Sequence, residues 1–310
     1  MKTTFRSLSA IVLAVGTTFT ACKKNEVQPT DSTPQIQAHA NDQQRISSNL
    51  DDLMTEITGA LESTPTFSGR LQNNQNTNVP CNVGAVADTA NNTWKITLTY
   101  NGNDCAGKHF RSGTVVVSTP AGTRWKNAGA VVTVNIQNLT VKRLSDNKSI
   151  VLNGSQTFTN VTGGIVWPRP TLQSITHTVA SNNLSITFDD NTQRTWNVAR
   201  KRVFTYDNGI VMTIHGAGTN GAITNAAEWG TSRFGQAFTT SITQPLIFRQ
   251  DCHARLTAGE IKHQGFATAT ALFGLDKNGA PTACPGTNAY YSKLTWTGPN
   301  GNAVSALLPY

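Results

Sequence analysis

From Trp94 to the C-terminus, apolar residues recur at every second position, and that alternation restricts this part of the chain to β-structure. Trp94, Ile96 and Leu98 share one strand face and Val132, Val134 and Ile136 another, while Leu184, Ile186 and Phe188 alternate with Ser185 and Thr187. After Gln137 the phase flips to Leu139 and Val141, which predicts a β-bulge near Asn138. Turn-forming stretches separate the runs: Pro120-Ala121-Gly122, Asp146-Asn147, Ser181-Asn182-Asn183, Asp189-Asp190-Asn191 and Asn208-Gly209. Asn208-Gly209 is the preferred type I′ pair, set between strands at 203–206 and 210–214. Strand-like runs continue at 237–248, 256–273, 290–296 and 303–308. Consecutive hairpins at this spacing make an antiparallel meander, and one this long must curl, close or fold over to manage its edges. The predicted fold class is all-β, mainly antiparallel: a large curled meander sheet, half-barrel or sandwich, with one N-terminal α-helix.

Composition supports this. Thr (45) and Asn (29) sum to 74 of 310 residues, while charged residues are only 14 %, against roughly 25 % in an ordinary soluble domain. Thr favours pleated strands and Asn tight turns, so the mixture excludes a helical bundle, a coiled coil and a Rossmann-type enzyme. The predicted helix covers residues 42–63, where Ile46, Leu50, Leu53, Met54, Ile57 and Leu61 form one apolar stripe and Asn41 or Asp42 can cap the start. The stripe is expected to pack on the sheet or plug one end of it. The acidic residues of the polar face, Asp51, Asp52 and Glu56, would repel a negative bilayer. Residues 64–92, rich in Asn, Gln, Gly and Pro, read as a long loop pinned by Cys81. No composition break interrupts the β body over 93–310, so residues 41–310 form one β-rich domain.

The leader reads differently. Lys2 and Arg6 precede an uncharged apolar run over 8–19, about a dozen residues and too short to span a bilayer, so residues 1–21 are a signal peptide. The run ends Phe19-Thr20-Ala21-Cys22, which resembles the lipobox of bacterial lipoproteins, with Phe19 where Leu is usual. The resemblance implies diacylglycerol transfer to the Cys22 thiol, cleavage before Cys22 and acylation of the new amine, which together anchor the chain stably in a membrane. Residues 22–40 are polar, carry Pro29 and Pro34, and read as a lipidated flexible tether. Lys23 rather than Asp after the lipidated Cys implies an outer-membrane address, on the periplasmic face or at the cell surface.

Four cysteines remain, Cys81, Cys105, Cys252 and Cys284, and an even count in an exported protein reads as disulfides. Of the three connectivities, Cys81–Cys105 and Cys252–Cys284 is the most economical. A zinc site would need C-x-x-C spacing, which is absent, and Cys252-His253 stands alone, so no metal is expected. Asn103-Asp104-Cys105, Arg111-Ser112-Gly113, Cys252 followed by Gly259-Glu260-Ile261, and Cys284 before the closing hairpin together resemble a group of uncharacterised Bacteroidota lipoproteins. That resemblance implies export and a β-rich body, and it brings no activity with it.

The net charge is +8, of which Lys2 and Arg6 leave with the leader. The one dense basic stretch, Arg200-Lys201-Arg202, would be split by a strand between two faces, so no nucleic-acid partner is expected. Gly216-Ala217-Gly218-Thr219-Asn220-Gly221 matches G-x-G-x-x-G, but no helical stripe follows it; it reads as a flexible loop, and no cofactor is expected. Glu260 and His263 would oppose one another on a strand, Asp189-Asp190 reads as a hairpin turn, and no G-x-S-x-G elbow exists. No catalytic residue is nominated. Trp167 and Trp229 stand in loop-like context and are the candidate ligand-binding residues, because sugars stack their C–H faces on Trp while Asn and Thr supply hydrogen bonds.

The expectation is a cell-envelope lipoprotein with a non-enzymatic binding or structural role at the outer membrane. Its partners would be the membrane, through Cys22, and a glycan or an envelope protein. One alternative is a lipid carrier whose curled sheet shelters acyl chains, which requires an apolar concave face that the helix leaves open. The other is an exported hydrolase acting on glycans, which requires carboxylates or His converging in a cleft.

Overall fold

The computed structural model describes residues 33–69, 81–166, 174–282, 284, 288–297 and 301–310. Cys22 and Trp167 lie outside the described residues. The chain opens with α1 (Thr33–Ser63) and a one-turn α2 (Pro65–Ser68), and all fifteen strands that follow belong to one sheet. In chain order they are β1 (Val83–Asp88), β2 (Thr93–Asn103), β3 (His109–Pro120), β4 (Ala130–Arg143), β5 (Ser149–Asn160), β6 (Ile175–Phe188), β7 (Gln193–Tyr206), β8 (Ile210–Gly216), β9 (Gly218–Asn220), β10 (Ile223–Thr231), β11 (Ala237–Arg249), β12 (Arg255–Gln264), β13 (Thr268–Leu275), β14 (Tyr291–Thr297) and β15 (Ala303–Pro309). Every pairing is antiparallel, so the predicted fold class holds. The meander breaks at one place. β8 and β10 share the lane between β7 and β11, with β8 pairing residues 200–206 of β7 and β10 pairing 196–198. β9 pairs β10 alone.

A row of irregularities crosses β3 to β7 and explains the curl. The ladder shifts at Ser112/Thr114, Ile136/Leu139, Asn153/Gln156 and Ser181/Leu184. Asn138 and Asn183 take positive φ at these bulges. A bulge leaves a backbone donor without its ladder partner, and a neighbouring Asn accepts it in two cases: Asn138 N–H donates to Asn153 Oδ1 at 2.7 Å and Asn183 N–H to Asn197 Oδ1 at 2.7 Å. Bulges aligned across neighbouring strands bend a sheet as a crease would. The bulge predicted at Asn138 is present. Ser181-Asn182-Asn183, predicted as a hairpin turn, is instead a bulge within the continuous β6, because αL Asn serves either purpose. At β7–β8, Tyr206 pairs with Ile210, so the turn holds three residues, one more than a type I′ turn.

The concave face holds α1. Ile46, Leu50, Leu53, Met54, Ile57 and Leu61 are all buried, in one cluster with Leu98 of β2, Val115 of β3, Val134 of β4 and Trp196 of β7. Thr55 accepts a hydrogen bond from Arg202 of β7 at 3.1 Å. The adjacent Glu56 accepts from Tyr100 of β2 at 2.9 Å and from Arg111 of β3 at 2.7 Å. β2 and β7 stand five strands apart, about 24 Å in a flat sheet. Neighbouring helix residues reach both because the sheet curls around them.

Two predicted boundaries move. α1 begins at Thr33, so it takes in residues 33–40 that the sequence reading assigns to the tether, and it precedes the predicted start at residue 42. Pro34 suits a helix's first turn, where its missing N–H goes unused. The predicted loop over 64–92 contains α2 and β1. β1 pairs with β2 in register from Val83↔Tyr100 to Asp88↔Lys95 but is exposed along nearly its whole length, so it carries no alternation to read.

Candidate functional site

The interior is occupied by charge pairing between the helix and the sheet. Gln43, Ser47, Asp51 and Thr55, four residues apart, form a polar row on α1 that follows β7. Strand alternation turns Arg194, Trp196, Arg200 and Arg202 inward and leaves Lys201 exposed, the split predicted for the basic triplet. Asp51 accepts from Arg200 at 3.0 Å through both oxygens, and Gln43 accepts from Arg194 at 2.9 Å. Glu228 of β10 is buried and accepts from Ser47 at 2.7 Å, from Trp196 Nε1 at 2.9 Å, and from Arg200. Burial works against the Arg200 charge, but Asp51 and Glu228 outweigh it and hold the guanidinium pKa above its ordinary value. On the opposite flank, burial and then Glu56 push the Tyr100 phenol up. The helix stripe and these ion pairs occupy the concave face over β2 to β7, where the lipid-carrier alternative requires it open.

The convex face carries the candidate binding site, a shallow depression of about 500 Å³. Trp229 on β10 is half-buried and faces outward, the side opposite Glu228. Cross-strand pairing sets Asn197, Trp229, Thr239 and Gln264 in one row over β7, β10, β11 and β12. Thr195 and Thr231 flank the row, their hydroxyls bonded to each other at 2.9 Å. Two glycines permit the geometry. A Cβ on Gly230 would stand 2.2 Å from the Thr195 carbonyl oxygen, and one on Gly218 would stand 2.9 Å from Trp229 Cζ3 and from Ala199 Cβ. The bare backbone of Gly218 therefore lets the indole lie low against the sheet. Asn220, two residues on, donates to Thr239 at 2.7 Å and closes one wall. The G-x-G-x-x-G stretch, predicted as a flexible loop, is thus the end of β8, the whole of β9 and a turn.

The remaining sequence candidates fall as follows. Trp229, expected in a loop, sits within β10, because Gly230 beside it marks close backbone approach to Thr195 rather than a break in the strand. The cysteines pair as Cys81–Cys105 and Cys252–Cys284. Asp251, Cys252 and Cys284 gather within 4.8 Å, but both sulfurs belong to the disulfide and are not free to bind metal. Glu260 and His263 point to opposite faces of β12: Thr243 donates to Glu260 at 2.6 Å, while His263 meets His39 inside. Asp190 accepts the Thr192 amide at 3.0 Å, an Asx-type turn contact in keeping with the hairpin reading. Sequence reasoning missed Asn220, Thr239 and Gln264, which pairing across strands brings to Trp229 and which no local signal marks. No family model, curated protein or solved structure matches the chain.

Proposed function

We propose that the chain is a lipid-anchored protein of the outer membrane with a non-enzymatic binding role, exercised through the convex face of its sheet. The observation that carries the reading is the seating of α1 in the concave face. Half-buried Asp51 and Glu56 and buried Glu228, the carboxylates paired with the sheet's inward arginines, are held in ion pairs that seat α1. Such pairs are costly to break and serve position rather than turnover. The surface left for a partner is outside, where Trp229 stands among hydroxyl and amide groups. The Phe19-Thr20-Ala21-Cys22 motif supports the anchor, and two paired cysteine sets accord with an oxidising compartment.

Expression of the full chain in a diderm bacterial host supplied with an alkyne-tagged fatty acid tests the anchor. The wild type is expected to carry the tag and to sediment with outer membranes, and Cys22→Ser is expected to lose both. A Cys22→Ser chain that stays tagged and membrane-bound would overturn the reading.

A further inference from the structure

We infer that the depression around Trp229 is a binding site for a neutral carbohydrate. The inference rests on the binding role proposed above and names its ligand class. A sugar ring offers a flat face of polarised C–H bonds with hydroxyls around its rim. Its receptor therefore needs an accessible aromatic face beside donors and acceptors that can each meet a hydroxyl. Trp229 supplies the aromatic face. The side-chain amide of Gln264, half-buried in the same row, makes no hydrogen bond among the described residues, so it offers both a donor and an acceptor. Asn220 spends its amide nitrogen on Thr239 and keeps its oxygen for a ligand hydroxyl. The Trp229 indole N–H is likewise unspent among the described residues, and Thr239, which accepts from Asn220, still has a proton to donate.

Charge selects among ligand classes. No residue lining the depression is charged, although the chain carries a net charge of +8. A phosphate, an acidic peptide or a uronic-acid polymer would find no cation there, and placing an anion against unbalanced dipoles is unfavourable. An acyl chain would leave the Gln264, Asn220 and Thr239 groups facing hydrocarbon. A neutral polyhydroxyl ligand satisfies all of them. The depression is open rather than enclosed, and the hydroxyl pair Thr195–Thr231 extends it along the strand direction, which suits internal units of a longer glycan.

The architecture also shows how the site is held. β9 exists only because β8 ends at Gly216, where a Cβ would stand 1.8 Å from the Asn225 carbonyl oxygen. This tight crossing places Gly218 under the indole and Asn220 beside Thr239 within three residues. Trp229 and Glu228 are consecutive, so the strand that seats the helix inside is the strand that presents the platform outside.

Affinity gel electrophoresis of the full-length chain in detergent tests the inference. Amylopectin, xylan, mannan and a β-1,3-glucan serve as neutral probes, and heparin and polygalacturonate as anionic ones. At least one neutral probe is expected to retard the protein, and neither anionic probe should. Trp229→Ala is expected to weaken retardation more than tenfold. Gly218→Val, which retains the indole but crowds it, is expected to weaken it at least threefold. Thermal melting checks that each variant folds, and Gln264→Ala, at the rim, gives an independent loss should Trp229→Ala fail to fold. Retardation by anionic probes alone, by no probe, or equally with Trp229→Ala and Gln264→Ala would overturn the inference. In each of those cases Cys22 labelling is unaffected, so failure of this site is distinguishable from failure of the anchor.

Discussion

The two ends of α1 are seated in the same sheet by different physics. Over 46–61, Ile46, Leu50, Leu53, Ile57 and Leu61 are at most 2 % exposed, and the polar residues beside them find charged partners: Asp51 pairs Arg200 at 3.0 Å and Glu56 pairs Arg111 at 2.7 Å. Over 34–45, the buried residues are Ile36, His39, Asp42, Gln43 and Arg45, and only the first is apolar. Asp42 is well held, by Arg233 Nε at 2.6 Å. Both ring nitrogens of His39, Nε2 of His263, and Nε and Nη1 of Arg194 find no hydrogen-bond partner among the described residues. Nε of Arg111 and of Arg200 also lack a partner among the described residues, so what distinguishes the 46–61 half is its apolar burial together with paired charge, which is cooperative and stiff. A buried polar group short of partners costs free energy, so the N-terminal half of α1 is the part the sheet holds less firmly.

The largest test of that contrast is a pair of arginine replacements. Arg200→Met removes the cation shared by Asp51 and Glu228, leaving the buried Glu228 and the half-buried Asp51 without it. A loss of about 3–5 kcal/mol is expected in urea unfolding. Arg194→Met removes a guanidinium that forms no ion pair among the described residues; it touches Gln43 and lies 4.6 Å from the Phe238 ring centroid. Burial already presses its pKa down to about 10. An apolar side chain of similar length should be neutral there or stabilising. Equal losses from the two variants would erase the contrast.

Truncating the apolar contacts gives the next effect. Ile57→Ala opens space in the main cluster and is expected to cost about 2–5 kcal/mol. Ile36 touches a small separate cluster formed with Ala269, Leu294 and Trp296. Ile36→Ala, at a helix end that can fray, is expected to cost less than about 2 kcal/mol. Unfolding midpoints at unchanged denaturant slope report both. If Ile36→Ala costs as much as Ile57→Ala, the helix is gripped evenly along its length.

The same asymmetry decides what could be read in advance. The stripe over 46–61 is legible because its contacts are apolar and recur with helical spacing. The helix over 33–41 is not, because His39 fills a position where the period calls for hydrocarbon. The strands of the body are legible by alternation, and the cysteine pairs by their economy of spacing. β1 is silent because its residues, apart from half-buried Val83, lie exposed on both faces and no pattern of two develops. Arg200 and Arg202 are legible as a split, but their meeting with Asp51 and Thr55 spans some 150 residues and leaves no local trace. The candidate site behaves alike. Trp229 can be nominated by residue type, whereas Asn220, Thr239 and Gln264 join it only through strand register.

The smallest effect is on the pH dependence of stability. His39 and His263 lie with ring centroids 4.4 Å apart, the rings tilted by 45°. Burial first, then His263 and Arg194, lower the His39 pKa from 6.5 to about 2; burial and Arg194 lower that of His263 to about 4. In the other half, burial and Arg202 lower His177 to about 3. All three are neutral in the fold at neutral pH, while the unfolded chain takes up protons near pH 6.5. The unfolded state therefore binds more protons below that pH. Their contribution is fully present above pH 6.5 and is lost as the pH falls toward the folded values. Between pH 6.5 and 5.5 the loss is about 1 kcal/mol for each histidine. His39→Phe keeps an aromatic ring beside Phe238 and Phe266 and removes one of these titrations, so the fall over that interval should shrink by about 1 kcal/mol. His177→Phe should do the same. If only His177→Phe flattens the profile, then His39 already protonates in the fold, and the N-terminal half of α1 opens to water well before the sheet unfolds.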